Sequence, residues 1–580
     1  MDRFKTVESL WVVEKSTTLA ELAIREGASV QAPPGKKVTM TINGIGTKLQ
    51  PGTYQGDIAL TVTDDIIVPF FAYSEPMEYR TAVCIKDGKY IPEQSVAAAV
   101  KSGQVSDGEC RDILIKNRDE AFNGIYVTGN GEYTINDANI DMVGIGGNDF
   151  NGYGAAIMTH GNSKVTVNRG NIHVRGASRN AVFVGDHSTA YINDSVISTE
   201  AGVLPHDYKD NVDMGGMMRV PWQLSLRGNN RATNLADYGT AYYNNCHLMS
   251  EGWGVLSTDA VDHCRMYAKD CTIEITGSSG YGSFTIGDCF NSFDGCTFNV
   301  PDYALVMANE TAGGEFVNGT VVNSGRNAVM FFLNQGGLLH MADSTFNTEK
   351  AIFNVKGCAP HIKAEHCRLN AANGIIMSLI DNDDPTNPSG WYIEPEGPDV
   401  YVDGRDLTTS ELGKDVIASF RDMEIIGDFF NATTCMEIDK SGFPPYEMPS
   451  MPVPEGEEPP VMPGPSAVNM DLTFESVRLV GVISAASGKH HISRIDKFNC
   501  EELGEVDFTP CEAINNGVIV RLGTGSSWTV TGTCYLTTLT LDENAVIWGI
   551  EGTRVRMTVD GAETDIVPGT YKGKIILSIK

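Results

Sequence analysis

Between residues 160 and 370 the chain repeats one pattern of apolar and polar positions about every 24 to 25 residues. Each repeat closes a small, polar turn on an apolar anchor: Ile172, Ile197, Leu248, Ile273, Phe298, Val322, Phe346 and Leu369. Two residues before each anchor stands a small side chain, Gly170, Ser195, Cys246, Cys271, Cys296, Thr320, Ser344 and Cys367. Five residues before it the positions are mostly apolar, as at Val167, Ile192, Tyr243, Phe293 and Met341. Alternation with a period of two belongs to strands, whose successive side chains point to opposite faces. A tandem period this short marks stacked coils, each of which buries its inward residues against the coils above and below. The Leu-x-x-Leu-x-Leu consensus of a leucine-rich repeat is missing. The pattern predicts an all-β fold, a right-handed single-stranded parallel β-helix.

The two ends of the chain copy each other. Residues 11–62 align without a gap on 528–579, with Trp11 on Trp528, Leu22 on Leu539, Met40 on Met557 and Pro51 on Pro568. In each copy an alternating segment is interrupted by Asn43-Gly44 or Asp560-Gly561, which reads as strand, tight turn, strand. The expectation is a duplicated small β module at each terminus, serving to close the hydrophobic column or as an oligomer contact. The organisation that follows is an N-terminal module over 1–65 and a mixed connecting segment over 66–130, with a short helix around Ser95 to Lys101. The β-helix runs over 131–442 with insertions at 199–240 and 381–406. A Pro-rich linker or strap over 443–466, final coils over 467–527 and a C-terminal module over 528–580 complete it.

Charge narrows the function. With 43 Lys and Arg against 74 Asp and Glu, the formal net charge of -31 repels polyanions, which excludes nucleic acid and anionic membranes as partners. The N-terminal residues lack the basic start and apolar core of a signal peptide, and no stretch is long and apolar enough to span a bilayer, so a soluble, cytoplasmic protein is expected. The 13 cysteines include several in inward columns and form no CxxC pair, which suits small buried hydrophobes in a reducing compartment.

Candidate chemistry comes from the register. Counted back from the anchors, the turn columns hold Asp186-His187, Asp237-Tyr238 and Asp262-His263, followed by Asp288. His160, Asp186, Asp259, Asp288, Glu310 and Asn334 each follow an apolar strand in successive coils. Adjacent carboxylates push their pKa values apart, and a neighbouring His or Tyr can take or deliver a proton. This makes Asp186, His187, Tyr238, Asp262, His263 and Asp288 the catalytic candidates. Substrate-binding candidates are His160, Asp259, Glu310 and Asn334 on the strand ends, and Trp253 and Tyr281 as flat rings. Arg227, Asn229 and Arg231, from the 199–240 insertion, join them as anion and hydrogen-bond partners. Turns favour Asp and Asn for their own reasons, so the column rather than any single member carries the reading. The same side chains leave a divalent metal open as a ligand. The Asp381, Asp383 and Asp384 run lacks the order of a calcium loop. No phosphate-binding, dinucleotide or HExxH motif is found, so no organic cofactor is expected.

Turns such as Asn193 to Ile197 and the small-residue ladders resemble the pectin-lyase-like β-helix superfamily over roughly residues 130 to 500. That resemblance implies a scaffold shared by polysaccharide lyases, inverting glycoside hydrolases, epimerases, fructan transferases, tailspikes and adhesins. Ser257-Thr258-Asp259 and Asp262-His263 only faintly match the hydrolase pattern, and its Asp-Asp and Gly-His-Gly elements are missing, which speaks against a pectin hydrolase. The function expected is acid/base catalysis in a side cleft on a carbohydrate, as lyase, hydrolase or isomerase. The alternatives are a lyase, hydratase or isomerase acting on a small cyclic non-carbohydrate such as a plant phenolic or polyol, and a non-catalytic binding or adhesive protein. A small-molecule or oligosaccharide partner and a homo-oligomer fit these readings.

Overall fold

The computed structural model describes residues 4–64, 80–384 and 415–580, together with 400–402 and 405–407, apart from breaks at 34–35, 44, 207, 209–215, 260–262, 309–311, 333–336 and 438–467. Asp262, Glu310, Asn334, the Pro-rich 443–466 stretch and most of the 381–406 insertion lie outside the described residues. The chain divides into two compact units. The first comprises Met1–Val220, Gly228–Met266 and Thr276–Ser278, and the second Pro221–Arg227, Tyr267–Ile275 and Ser279–Lys580.

The first unit contains parallel β-helix coils, each contributing three strands. One ladder stacks Glu132–Asn136, Lys164–Asn168, Thr189–Asn193 and Thr240–Asn244, so that Ile135, Val167, Ile192 and Tyr243 lie over one another. The next stacks Asn139–Val143, Asn171–Arg175, Val196–Glu200 and His247–Ser250, which superposes Ile140, Ile172, Ile197 and Leu248, all fully buried. The third runs through Phe122–Thr128, Ile157–Thr159, Val182–Val184, Thr233–Leu235 and Gly254–Thr258. Val182–Val184 pairs directly with Thr233–Leu235, so the coil resumes within the 199–240 insertion and no rung is lost.

The turn between the first two ladders explains its own composition. Asn168, Asn193 and Asn244 each donate a side-chain hydrogen bond to the Asn of the coil before, with Asn136 as the first acceptor, at 2.9 to 3.0 Å. The residue after each of them, Asp137, Arg169, Asp194 or Asn245, has φ between 50° and 54°. Asp and Asn tolerate that left-handed conformation better than other non-glycine residues.

The second unit repeats the scheme. Ile273, Phe298, Val322, Phe346 and Leu369 form one buried column, and Asn299, Asn323, Asn347 and Asn370 one hydrogen-bonded ladder. The long strands Asp415–Ile426 and Asn469–Gly481 pair in parallel, and Phe420 stacks on Phe474 at 5.4 Å. None of the 13 cysteines forms a disulfide, and Cys246, Cys264, Cys271, Cys289, Cys296 and Cys367 are buried in the columns that the repeat assigns to them.

The terminal modules share one pairing scheme. Thr17 opposes Leu60 and Val38 opposes Val62 in the first, as Cys534 opposes Leu577 and Val555 opposes Ile579 in the second. Even the register shift between Leu19 and Glu21 recurs between Leu536 and Thr538. The helix expected around Ser95 to Lys101 is reduced to a single 3-10 turn, Ala97–Ala99, followed by the strand Val100–Val105 on Glu109–Asn117. Three alanines cannot repay helix nucleation, and the chain gains more by completing a sheet edge.

Because each anchor is held from above and below, Ile197→Ala should cost about 2 to 5 kcal/mol. Val196→Ala, at a position 40% exposed, should change stability by less than about 0.5 kcal/mol. Urea unfolding of the two variants side by side checks this, and equal effects would contradict the inward and outward assignment.

Candidate functional site

In the first unit the third ladder ends each strand at the same height. Thr159, Val184, Leu235 and Thr258 are in register, so His160 and Asp259 share one column and Asp186 and Asp237 the next. His160 Nδ1 lies 3.2 Å from Asp186 Oδ2, which also accepts the Gly161 N–H at 2.9 Å. The hydrogen bond from His160 is the main reason the Asp186 carboxyl stays below its ordinary pKa despite partial burial. The His160 ring is buried, stacked on Phe183 at 5.5 Å and edge-on to Tyr126 at 6.0 Å.

Beside this pair three rings form a column on successive coils. His187 and Tyr238 have centroids 4.7 Å apart, and Tyr238 stacks on His263 at 5.0 Å and 10°. All three are exposed, Tyr238 by 44%. Asp186, Asp237, Tyr238 and His263 hold φ between 48° and 66°. That conformation is ordinary for Asp and His but strained for Tyr238, and strain of this kind gathers at functional surfaces.

Behind the ladder is a buried ion cluster. Arg231 donates from Nε to Asp149 Oδ2 at 2.8 Å and from Nη1 to Asp259, and its guanidinium is sandwiched between Phe150 and Trp253, each 4.4 Å away. Asn234 and Ser178 donate to Asp149 and fix it in place. Burial raises the Asp259 carboxyl above its ordinary pKa, Arg231 opposes the rise and Asp149 adds to it. Asp186 and Asp259 are thus driven in opposite directions.

Other candidates serve the fold. Asn229 donates to the Gly202 carbonyl and accepts its N–H, which ties down a loop. Arg227 belongs to the second unit, paired with Glu501 at 2.8 Å. Tyr281 is fully buried and packs on Phe284, so its ring presents no face to a ligand. Asp288 is also in the second unit, in the turn after Tyr281–Ile286. Asp149 and Phe150 were not foreseen, because they come from a loop outside the repeat.

The second unit has a buried network of its own. Asp383 meets Lys356 Nζ at 2.6 Å, His490 Nε2 at 3.0 Å and the Gly504 N–H at 2.5 Å. Nearby Glu505 pairs with Arg326 at 3.1 Å and Lys350 at 2.9 Å. Together these contacts pin the segment that follows Cys500–Glu502 against the strands. Burial alone would raise the Asp383 carboxyl, but the Lys356 ammonium and His490 outweigh it and hold the carboxyl far below the usual range.

Among the described residues, no group of three or more His, Cys, Asp or Glu side chains is gathered as a metal site. No described helix is long and apolar enough to cross a membrane. Comparison with models of known protein families finds no match, and comparison with curated proteins finds none.

Asp383→Asn should destabilise the second unit by about 3 to 5 kcal/mol, because it leaves a buried Lys356 without its counter-charge. The folded pKa of Asp383 lies below the unfolded value of about 3.9, so its contribution is fully present at pH 7 and fades as the pH falls below that value. Urea titrations at pH 7 and pH 3 should show the gap between wild type and variant narrowing at the lower pH.

Proposed function

We propose that the first unit binds a carbohydrate on the His187, Tyr238 and His263 rings and transforms it by acid/base chemistry, as a lyase, hydrolase or isomerase. The observation that carries this reading is the half-exposed Asp186, hydrogen-bonded to His160, at the foot of an exposed three-ring ladder. A sugar ring offers an apolar face of C–H groups, and a column of stacked rings is a matching platform. Asp186, ionised at neutral pH, accepts a proton from a substrate hydroxyl or ring carbon. His187 or His263 returns a proton to the leaving or neighbouring oxygen, which balances the transfer. No organic cofactor enters this chemistry. The parallel β-helix architecture supports the reading, since the pectin-lyase-like superfamily it resembles builds carbohydrate lyases and hydrolases on that scaffold.

The test is turnover of a panel of neutral and uronic-acid oligosaccharides, followed by NMR of the products. Asp186→Asn should lower kcat by about 10²- to 10⁴-fold with little change in KM. Tyr238→Ala should instead act chiefly on KM, by about 0.5 to 1.5 kcal/mol of lost ring stacking. On the acid side, activity should fall only as Asp186 is protonated, below the ordinary carboxylate range. Binding without turnover would leave the adhesive reading, and neither binding nor turnover would make the ladder a packing device.

A further inference from the structure

The two terminal modules are the same object in two settings. In the C-terminal copy the pair Val518–Leu522 and Ser527–Val530 is stacked on a coil, with Phe474 over Leu522 and Leu479 over Trp528. Two side chains lock that contact: Trp528 Nε1 donates to the Gly481 carbonyl at 2.9 Å, and Ser526 Oγ bridges the Val477 N–H and the Phe474 carbonyl. On its other side Ser527–Val530 carries Val546–Gly549.

The N-terminal copy has every one of these parts. Phe4–Val7 lies on Thr17–Ile24 as Val520 to Leu522 lies on Leu539 to Leu541, and Leu10–Val12 pairs with Ser29–Gln31 as Ser527 to Thr529 pairs with Val546 to Trp548. Trp11 stands for Trp528 and Ser9 for Ser526. No coil covers them among the described residues. Phe4–Val7 is the edge of its sheet, and Leu10–Val12 belongs to a sheet of two strands. Among those residues the Trp11 indole N–H and the Ser9 hydroxyl have no hydrogen-bond partner.

The two copies also differ in where they are greasy. Phe4, Leu10 and Val12 are exposed by 66%, 56% and 42%, and the C-terminal copy carries Ile519, Ser527 and Thr529 there. Val546, Trp548 and Ile550 are exposed by 36%, 58% and 44%, and the N-terminal copy carries Ser29, Gln31 and Pro33 at those positions. Each copy has thus kept exposed apolar side chains on the one edge where the other copy is polar or covered. Exposed apolar clusters of this kind mark interaction surfaces.

We infer that Leu10–Val12 of one molecule docks on Val546–Gly549 of a second copy, continuing the parallel ladder from molecule to molecule. In that register Leu10 meets Val546, Val12 meets Trp548, and Trp11 reaches Gly549, which holds the position that Gly481 holds for Trp528. The contact is head-to-tail, so it leaves a free edge at each end of a pair and adds further molecules until a ring closes or a filament grows. Lys5 tempers it. Where the C-terminal copy buries Val520, Lys5 sits 5.0 Å from the Trp11 ring, and an inward-facing charge keeps an unpaired edge soluble. The association is therefore reversible and depends on concentration.

Sedimentation of the full chain over a range of concentrations tests this, with Leu10→Lys and Trp548→Lys as variants whose folding is checked by circular dichroism. The wild type should grow past the dimer as concentration rises, and each variant alone should stay monomeric. An equimolar mixture of the two should stop at the dimer, because it retains one intact pair of edges. A wild type that is monomeric throughout overturns the inference. So does self-association of Trp548→Lys alone, which would mean that N-terminal edges pair with each other, or a mixture that fails to dimerise.

Discussion

Neighbouring coils of a parallel β-helix place like residues about 4.8 Å apart, and a side chain is tolerated in a column only if it can sit on its own kind at that distance. Apolar residues meet the condition by burial and Phe by ring stacking, as with Phe293 on Phe316 at 5.1 Å. Asparagine meets it most fully, because its amide is both donor and acceptor. The four-membered ladders of Asn136 to Asn244 and of Asn299 to Asn370 need no other partner. Cysteine meets it as a small apolar group, which accounts for cysteines that recur in the columns without a disulfide.

Charge fails the condition, since identical ions at that spacing repel. Titratable residues are therefore admitted with a device that breaks the likeness. Asp186 reaches across to His160 and the Gly161 N–H rather than to another carboxylate. His187, Tyr238 and His263 alternate ring types within one column. Asp149 and Asp259 share Arg231, and Lys356, at the end of a ladder strand, neutralises Asp383.

This division also decides what the sequence could reveal. Columns obey a count, so the anchors from Ile172 to Leu369, the inward cysteines and the Asp186, His187, Tyr238 and His263 edge were legible from spacing. Asp149 and Phe150 were not, because the loop that carries them has no register, and neither was the Asp383 to His490 contact across 107 residues. Tyr281 was misplaced for another reason. Tyr281–Ile286 is buried along nearly its whole length, so alternation cannot tell its inward face from its outward one. The identity of the two modules was plain in the sequence. Their inequality was not, since it lies in which edge each copy has covered.

Asp186 and Asp259 follow strands that stack in one ladder, yet their carboxyls are driven opposite ways. They also stand at different positions, Asp259 one residue past its strand and Asp186 two residues past its own, with φ of 52°. Asp186 gains a donor from the coil before it while remaining half exposed, and Asp259 is buried on a guanidinium that it must share with Asp149. A scaffold that repeats its backbone can therefore still create unlike proton affinities where one carboxylate is served by the repeat and another by an insertion. In this chain the Arg231 insertion does the second, which makes the place where the repeat is interrupted the place where acid and base can differ.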